Sequence, residues 1–325
     1  MKKTLLLGLL LTSVLSCKKD TEVVKEETIK EIKAQKINLE IVRFDKAFFE
    51  STPQDVMRLK PSFPYLFPEG VTDQEWQSKL QDPLMRELYA EVKQAFPDNT
   101  FVEKEMTDLL KAIRYNFPNQ PLPEKLVTVI SEVDTDLKAI YTDSLALVSL
   151  DTYLGEKHRF YEGFPEYIRP ELNRDQMALD MVSSFTPRVL NRNSDRTFLS
   201  ILIQSGKELY LKDVLLPEVS DAAKMAYTQE QIQWCEANET EMWGYFIEHK
   251  LLFDRDSKLA SRFITKSPFS KFYLEIDNES PGRVGTWIGW QIVRSFMKNN
   301  DVTLQQLLAM DAKTIFEKSK YKPKK

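Results

Sequence analysis

Only two histidines occur in the 325 residues, His158 and His249, and that scarcity limits the chemistry more than any other count. A zinc peptidase helix needs imidazoles at i and i+4, so that both project from one face toward the metal. No His-Glu-x-x-His is present, and a three-ligand zinc site would have to combine the two distant histidines with a carboxylate. Nucleophilic hydrolysis fares no better. There is no Gly-x-Ser-x-Gly elbow, and a serine triad would have to recruit one of the same two histidines. Cys235 falls between Ile232 and Glu239, in phase with Met242 and Phe246, the placement of a small core residue rather than a reactive thiol. Nine glycines leave no phosphate-binding Gly-x-x-x-x-Gly-Lys-Ser/Thr loop and no dinucleotide fingerprint. The expectation is a protein that is not an enzyme and uses no cofactor or metal.

Three weaker signals remain. Glu239 lies on an otherwise apolar helical stripe with Ile232, Cys235, Met242 and Phe246, and a carboxylate removed from water needs a partner. A structural ion pair is the plainer reading, a functional acid the sharper one. Gly206 interrupts a helical pattern in Gln204-Ser205-Gly206-Lys207-Glu208. Mid-helix glycine costs about 1 kcal/mol relative to alanine, so something approaches closely there, either another helix or a ligand. Asp277 to Gly285 directly precedes a helix and contains Arg283. Free amides at a helix start beside an arginine can hold a carboxylate or phosphate. The structural alternative is a tight loop in which Arg283 pairs with Asp277 or Glu279. Gly285-x-x-x-Gly289 then lets another helix pack closely.

The most specific chemical signal is at the N-terminus. Lys2 and Lys3 precede an apolar run from Leu5 to Leu11, and Val14-Leu15-Ser16-Cys17 matches a bacterial lipobox. Residues 1–16 read as a lipoprotein signal peptide too short to span a membrane, and Cys17 as the acylated first residue of the mature chain. Two or more acyl chains hold a protein stably at a bilayer, where one binds only marginally. Lys18, not an aspartate, follows Cys17, which favours export. The expected location is the cell envelope, at the periplasmic face or the outer membrane. With Cys17 acylated, Cys235 is left without a disulfide partner. A net charge of −4 gives no general attraction to nucleic acid.

The elements that position these residues follow from periodicity. Residues 18–36 are dense in charge and lack aromatics, so 17–36 reads as a lipidated N-terminus and solvated tether, with one globular domain over 37–325. Ile37, Leu39 and Ile41 alternate as a half-buried strand does. Short helices punctuated by proline fill 53–117, one with Leu84, Leu88 and Val92 on a face, another with Met106, Leu109, Leu110 and Ile113. Three strands follow, at Leu126–Ile130, Ala139–Tyr141 and Leu145–Val148, and then a loop over 151–172 rich in aromatics. Asn173 and Gln176 have capping-box spacing before a helix carrying Met177, Met181 and Phe185. Further helices are expected at about 195–215, from Thr228 to about Leu252, and at about 284–298. Few strands among many helices indicate an α+β fold, mostly helical with a small sheet.

Several segments in order resemble the gliding motility lipoprotein GldB family of the Bacteroidetes. They are the lipobox at Cys17, Val42-Arg43-Phe44-Asp45, Gln204 to Tyr210, Asn238-Glu239 with Met242-Trp243, Pro268 to Tyr273, and Ser280-Pro281-Gly282-Arg283 leading into Gly289-Trp290-Gln291-Ile292-Val293. The resemblance implies a lipoprotein of the gliding machinery and its linked secretion apparatus, with no established catalytic activity. More distantly, strands followed by a helix and then a Ser-Gly helix look like a group of predicted zinc-dependent proteases. There the first helix carries two histidines and a glutamate precedes the glycine of the second. Here the first reads Ala178-Leu179-Asp180-Met181-Val182-Ser183-Ser184, and Ser205 precedes Gly206. The kinship implies a metallopeptidase-like scaffold without its metal ligands. Its degenerate cleft or ligand pocket would be lined from Asp180, Ser184, Ser205, Lys207, Glu208, Glu239 and Arg283.

The leading expectation is therefore a lipid-anchored, non-enzymatic component of the gliding and secretion machinery. Its partners are the membrane, through the lipid, and other proteins of that machinery. A module binding an envelope glycan or peptide through the aromatic loop at 153–167 and the region of Arg283 is the second reading. A cryptic hydrolase is the third.

Overall fold

The strands read from alternation assemble into one four-stranded sheet. The computed structural model describes residues 24–191, 195–275 and 277–324, so the signal peptide and Cys17 lie outside the described residues. Strands β1 (Glu40–Arg43), β2 (Lys125–Val129), β3 (Ala139–Tyr141) and β4 (Leu145–Ser149) lie in the order β1-β2-β4-β3. β1, β2 and β4 are parallel, with Val42 opposite Val127 and Val127 opposite Leu147; β3 closes the edge antiparallel to β4. Leu126, Val127 and Thr128 are all buried, as expected where helices cover both faces of a parallel sheet. β1 starts three residues later than the alternation at Ile37 implies.

Successive residues of each strand face opposite layers. Val127, Val129 and Leu147 face α2 (Phe44–Phe49), α3 (Asp73–Gln81) and α4 (Pro83–Ala95), where Phe48, Phe49, Leu80 and Tyr89 make a smaller core. α1 (Glu26–Lys33), α5 (Thr100–Asn116), α6 (Met177–Phe185) and α7 (Phe198–Leu215) contribute to the larger core, which includes Leu126, Ala146 and Val148 of the other sheet face. α8 (Asp221–Met225), α9 (Gln229–Ala237), α10 (Glu239–Glu248), α11 (Lys258–Phe263), α12 (Val284–Asn299), α13 (Leu304–Ala309) and α14 (Ala312–Ser319) add to that core, as do Val92 of α4 and loop residues such as Tyr153 and Phe272. The α+β class is as expected.

Local differences have local causes. The charged segment taken as tether contains α1, whose Ile32 is buried against the core and whose Glu31 accepts the Tyr115 hydroxyl at 2.6 Å. Leu84 is exposed. Asp82 caps α4 with Pro83 in its first turn, and the buried stripe becomes Met85, Leu88, Tyr89 and Val92. Asn173 caps nothing, because a 3-10 turn at Arg174–Gln176 precedes α6, and the Gln176 amide donates to the Ala223 carbonyl instead. Thr228 and Gln231 do form their capping box. The helix they open ends at Asn238, whose side chain bonds back to the Trp234 carbonyl at 2.8 Å, a competition with the backbone that breaks helices. Cys235 and Glu239 therefore lie on two helices, not on one continuous stripe.

Candidate functional site

The helix pair α6–α7, where the metallopeptidase resemblance would place a cleft, carries five of the nominated residues. Ser184 Oγ accepts the amide of Tyr141 at 2.8 Å, which caps the outward-facing edge of β3. Asp180 Oδ2 is 2.8 Å from Lys138 Nζ and accepts the Tyr153 hydroxyl at 3.0 Å. Lys138, itself buried, also meets Glu171 at 3.5 Å, and Lys266 completes the chain on Glu171. Burial alone would raise the Glu171 carboxyl, but the two lysines outweigh it and hold the group below its ordinary value. Burial pushes the Tyr153 phenol well up, with the Asp180 charge adding to it.

The face of α6 toward α7 differs. Ser183 Oγ donates to Glu208 at 2.9 Å, and Lys212 lies 3.6 Å from the same carboxylate. Ser205 is half-buried beside them in sequence, while Lys207 points elsewhere. Its ammonium donates to the carbonyls of Leu308 (3.1 Å) and Met310 (2.5 Å), closing the C-terminus of α13. Burial pushes this lysine down to about 8, against the pull of Asp311. Gly206 abuts the backbone of Gly289, so the close approach inferred at that glycine is made by another helix.

Glu239 does not join this group, and Arg283 reaches it only through its charge, which adds to the lowering of the Glu171 carboxyl. Glu239 is buried at the start of α10 and takes the Tyr321 hydroxyl at 2.7 Å, so its partner is a phenol rather than the expected ion pair. Burial raises its carboxyl. Arg283 stacks over the Tyr227 ring at 5.4 Å; Asp277, one of the two carboxylates expected to pair with it, accepts the amides of Phe272, Tyr273 and Leu274 instead. The nominated residues thus serve several separate contacts and do not converge on one cleft.

The histidines are equally separate. His158 Nε2 lies 3.4 Å from Glu91 on α4, and His249 stacks on Tyr245 at the end of α10. Among the described residues no three His, Cys, Asp or Glu side chains are grouped to hold a metal. Cys235 is fully buried and its thiol pushed up by burial, in keeping with a core residue. In the aromatic loop, Tyr153 and Tyr161 point inward, and the Tyr161 hydroxyl donates to the Asp151 carbonyl at 2.6 Å. They are core residues, which leaves only part of that loop open to a ligand.

One cavity was not foreseen. It holds about 270 Å³ between the sheet and α2–α3, at the carboxyl ends of the three parallel strands. Phe44 and Asp45 follow β1, Ile130 and Ser131 follow β2, and Ser149 ends β4. That end of an open parallel sheet is where ligands commonly bind, because diverging loops leave a crevice there. Asp45 is buried, bridged by Arg43 through two bonds of 2.9 and 2.7 Å and by the Thr128 hydroxyl at 2.5 Å. The signal available in the sequence was Arg43-Phe44-Asp45 directly after a strand. Trp76 and Tyr65, which complete the lining, carry no such mark.

The family model described as gliding motility protein GldB matches residues 25–323. The chain belongs to that family. The match runs through the sheet, both cores and every helix from α1 to α14. No curated protein and no solved structure matches the chain. GldB membership makes it a gliding-motility protein of lipoprotein type. Among the described residues, no helix is long and apolar enough to cross a membrane.

Proposed function

We propose that this GldB-family chain is a non-catalytic component of the gliding machinery and its associated secretion apparatus, anchored in the cell envelope through acylated Cys17 and acting by protein contacts. The observation that carries the proposal is the commitment of the α6–α7 polar groups to internal bonds. Asp180 is held by Lys138 and Tyr153, Ser184 by a strand amide, and Glu208 by Ser183. Groups fixed in this way hold the helix pair to the sheet and are not poised for proton transfer or metal binding.

The test is made in cells and on the purified protein. Cys17→Ala should release the protein from the membrane fraction and stop colony spreading. Normal spreading with the protein fully soluble would remove anchoring from the proposal. Crosslinking followed by mass spectrometry should recover envelope proteins of the gliding machinery. Stoichiometric zinc in the purified full chain would overturn the non-catalytic reading.

A further inference from the structure

We infer that Lys298, Lys318, Lys320, Lys322 and Lys324 form a basic face that rests on the anionic phospholipid headgroups of the bilayer holding the acyl anchor, and so sets how the domain lies on that membrane. The inference rests on the anchored reading of Cys17 and adds a second, electrostatic contact to it.

The face begins with a local bias in composition. The chain carries a net charge of −4, yet residues 318–325 read Lys-Ser-Lys-Tyr-Lys-Pro-Lys-Lys, without an acid. The fold sorts this run by alternate residues. Ser319 is buried and Tyr321 and Pro323 are half-buried, whereas Lys318, Lys320, Lys322 and Lys324 are all exposed. Lys298, exposed near the end of α12, adjoins them. Asn299 and Asn300 beside it donate to the carbonyls of Ser319 and Lys318, each at 3.0 Å.

The inward residues hold the row in place. The Tyr321 hydroxyl donates to Glu239 at 2.7 Å, and its ring meets Trp243 edge-on at 5.2 Å. Thr240 Oγ1 donates to the Lys324 carbonyl at 2.8 Å, and Ser295 Oγ to that of Ser319 at 2.8 Å. The backbone carrying the lysines is thus tied to α10 and α12.

The charge of this face is not compensated from within. Lys79, Lys93 and Lys104 each pair with a glutamate, at 2.6, 2.8 and 3.2 Å. Among the described residues, none of the five ammonium groups of the row lies within 4 Å of a carboxylate. Of the acids nearby, Glu239 is buried on Tyr321 and Glu317 faces Lys313 at 3.8 Å. Asp301 and Glu241 are exposed at the edge, next in sequence to Asn300 and Thr240, and leave the face with a positive excess.

Placement favours a bilayer over a free polyanion. Val24 follows Cys17 by seven residues, which span at most about 25 Å at roughly 3.6 Å each. The fold therefore stays within reach of the headgroups. α1 comes next, and its Lys33 pairs with Glu218 at 3.4 Å. Three residues on lies Asp221, whose carboxyl is governed by burial and the Arg294 bonds, with the Lys324 charge adding to its lowering. The tether thus enters on the side that carries the row. Acyl chains retain the protein but do not select which face of the domain meets the membrane. Basic residues do, since each one near an anionic leaflet strengthens attachment about fivefold.

The experiment uses the full acylated chain in nanodiscs of phosphatidylcholine, with or without phosphatidylglycerol. Acetylation by a water-soluble ester, read residue by residue by mass spectrometry, should slow several-fold at Lys318, Lys320, Lys322 and Lys324 in the anionic discs and recover at high salt. Lys93, on the small-core side of the sheet, should react alike in both. In vesicle sedimentation the unacylated Cys17→Ala chain should bind phosphatidylglycerol vesicles more tightly than phosphatidylcholine ones. Lys318→Gln and Lys322→Gln, at exposed positions outside the core, should each weaken that preference about fivefold. Equal acetylation in the two discs would overturn the inference, as would glutamine variants that bind like the parent. A soluble anionic polysaccharide that protects the row in neutral discs as strongly as phosphatidylglycerol does would put a polyanion in place of the bilayer and overturn it too. An unprotected row on a firmly anchored chain would sink this inference alone. A Cys17→Ala chain that stays in the membrane fraction of cells at high salt would sink acyl anchoring alone.

Discussion

Gly206 of α7 and Gly289 of α12 meet backbone to backbone, with no room for a side chain on either. A Cβ on Gly206 would collide with the Gly289 carbonyl and come within 2.7 Å of the Trp290 nitrogen; one on Gly289 would collide with the Leu202 carbonyl. Neither obstacle is a flexible side chain that can move aside. Gly285 extends the contact against Leu202 and Phe263. Two long helices of the large core are joined through this crossing, which explains glycine at both positions where alanine would be the better helix former.

Gly206→Ala and Gly289→Ala should each destabilise the protein by about 1–3 kcal/mol, the usual effect of overpacking, despite the gain in helix propensity. Gly244→Ala is the control. Gly244 lies inside α10 with nothing near its absent Cβ, so alanine there should stabilise by about 0.5–1 kcal/mol. Urea unfolding of the three variants decides the matter. Three shifts of the same sign would refute the packing account.

Much of this arrangement was legible because it is written in local spacing. The strand runs, the Thr228–Gln231 cap, the Met177–Met181–Phe185 face and the helix-packing reading of Gly206 depend on neighbours within a few residues. What was not legible depends on distant ones. Glu239 finds Tyr321 more than eighty positions away, and Lys207 finds the carbonyls of Leu308 and Met310. Arg283 chooses the Tyr227 ring over two nearby carboxylates. The cavity joins the ends of three strands to α2 and α3, so no segment alone carries its pattern. At Asn238 the residue type does favour a helix end, but an unbroken apolar stripe masked it.

Asp213 should be the most sensitive polar position in the core. Fully buried, it bonds to Lys224 at 2.9 Å, Trp290 Nε1 at 2.8 Å and Arg294 at 2.7 and 2.8 Å, and Arg294 continues to Asp221. Burial would lower the arginine, but Asp221 and Asp213 outweigh it and hold it above its ordinary value. Asp213→Asn leaves two cations facing an amide, and removing one partner of a buried pair costs about 3–5 kcal/mol. Chemical denaturation measures this. A loss below about 1 kcal/mol would mean that water reaches the site and screens the cations.

Glu239 makes a pH-dependent contribution of definite sign. Its carboxyl is raised above the 4.5 of a free glutamate, chiefly by burial, with the Tyr321 hydroxyl and Lys324 opposing. The folded state then holds its proton at pH values where the unfolded state has lost it, so stability falls as pH rises through the folded value. Glu239→Gln should be the more stable protein at pH 7, and its advantage should shrink as pH is lowered toward 4.5. Tyr321→Phe should lose about 1–3 kcal/mol, because the buried carboxyl is left without its hydroxyl partner. Unfolding curves across that range test both; an advantage for Gln that does not vary with pH would refute the titration.

Lys207 gives the opposite slope at alkaline pH. Burial lowers it from the 10.5 of a free lysine to about 8, and it is only 4% exposed. Between those values the unfolded chain binds the proton that the folded chain has released, so stability from this group rises with pH across that window. Lys207→Met removes the effect, and comparing the two proteins cancels the tyrosines that titrate in the same range. Relative to the variant, the parent should gain up to about 3 kcal/mol between pH 8 and 10.5. Below pH 8 the difference should be flat, fixed by the lost bonds to Leu308 and Met310 against the relief of removing a buried charge. Denaturation at pH 7, 9 and 10.5 suffices, and a constant difference throughout would show that Lys207 keeps an ordinary lysine's proton affinity in the fold.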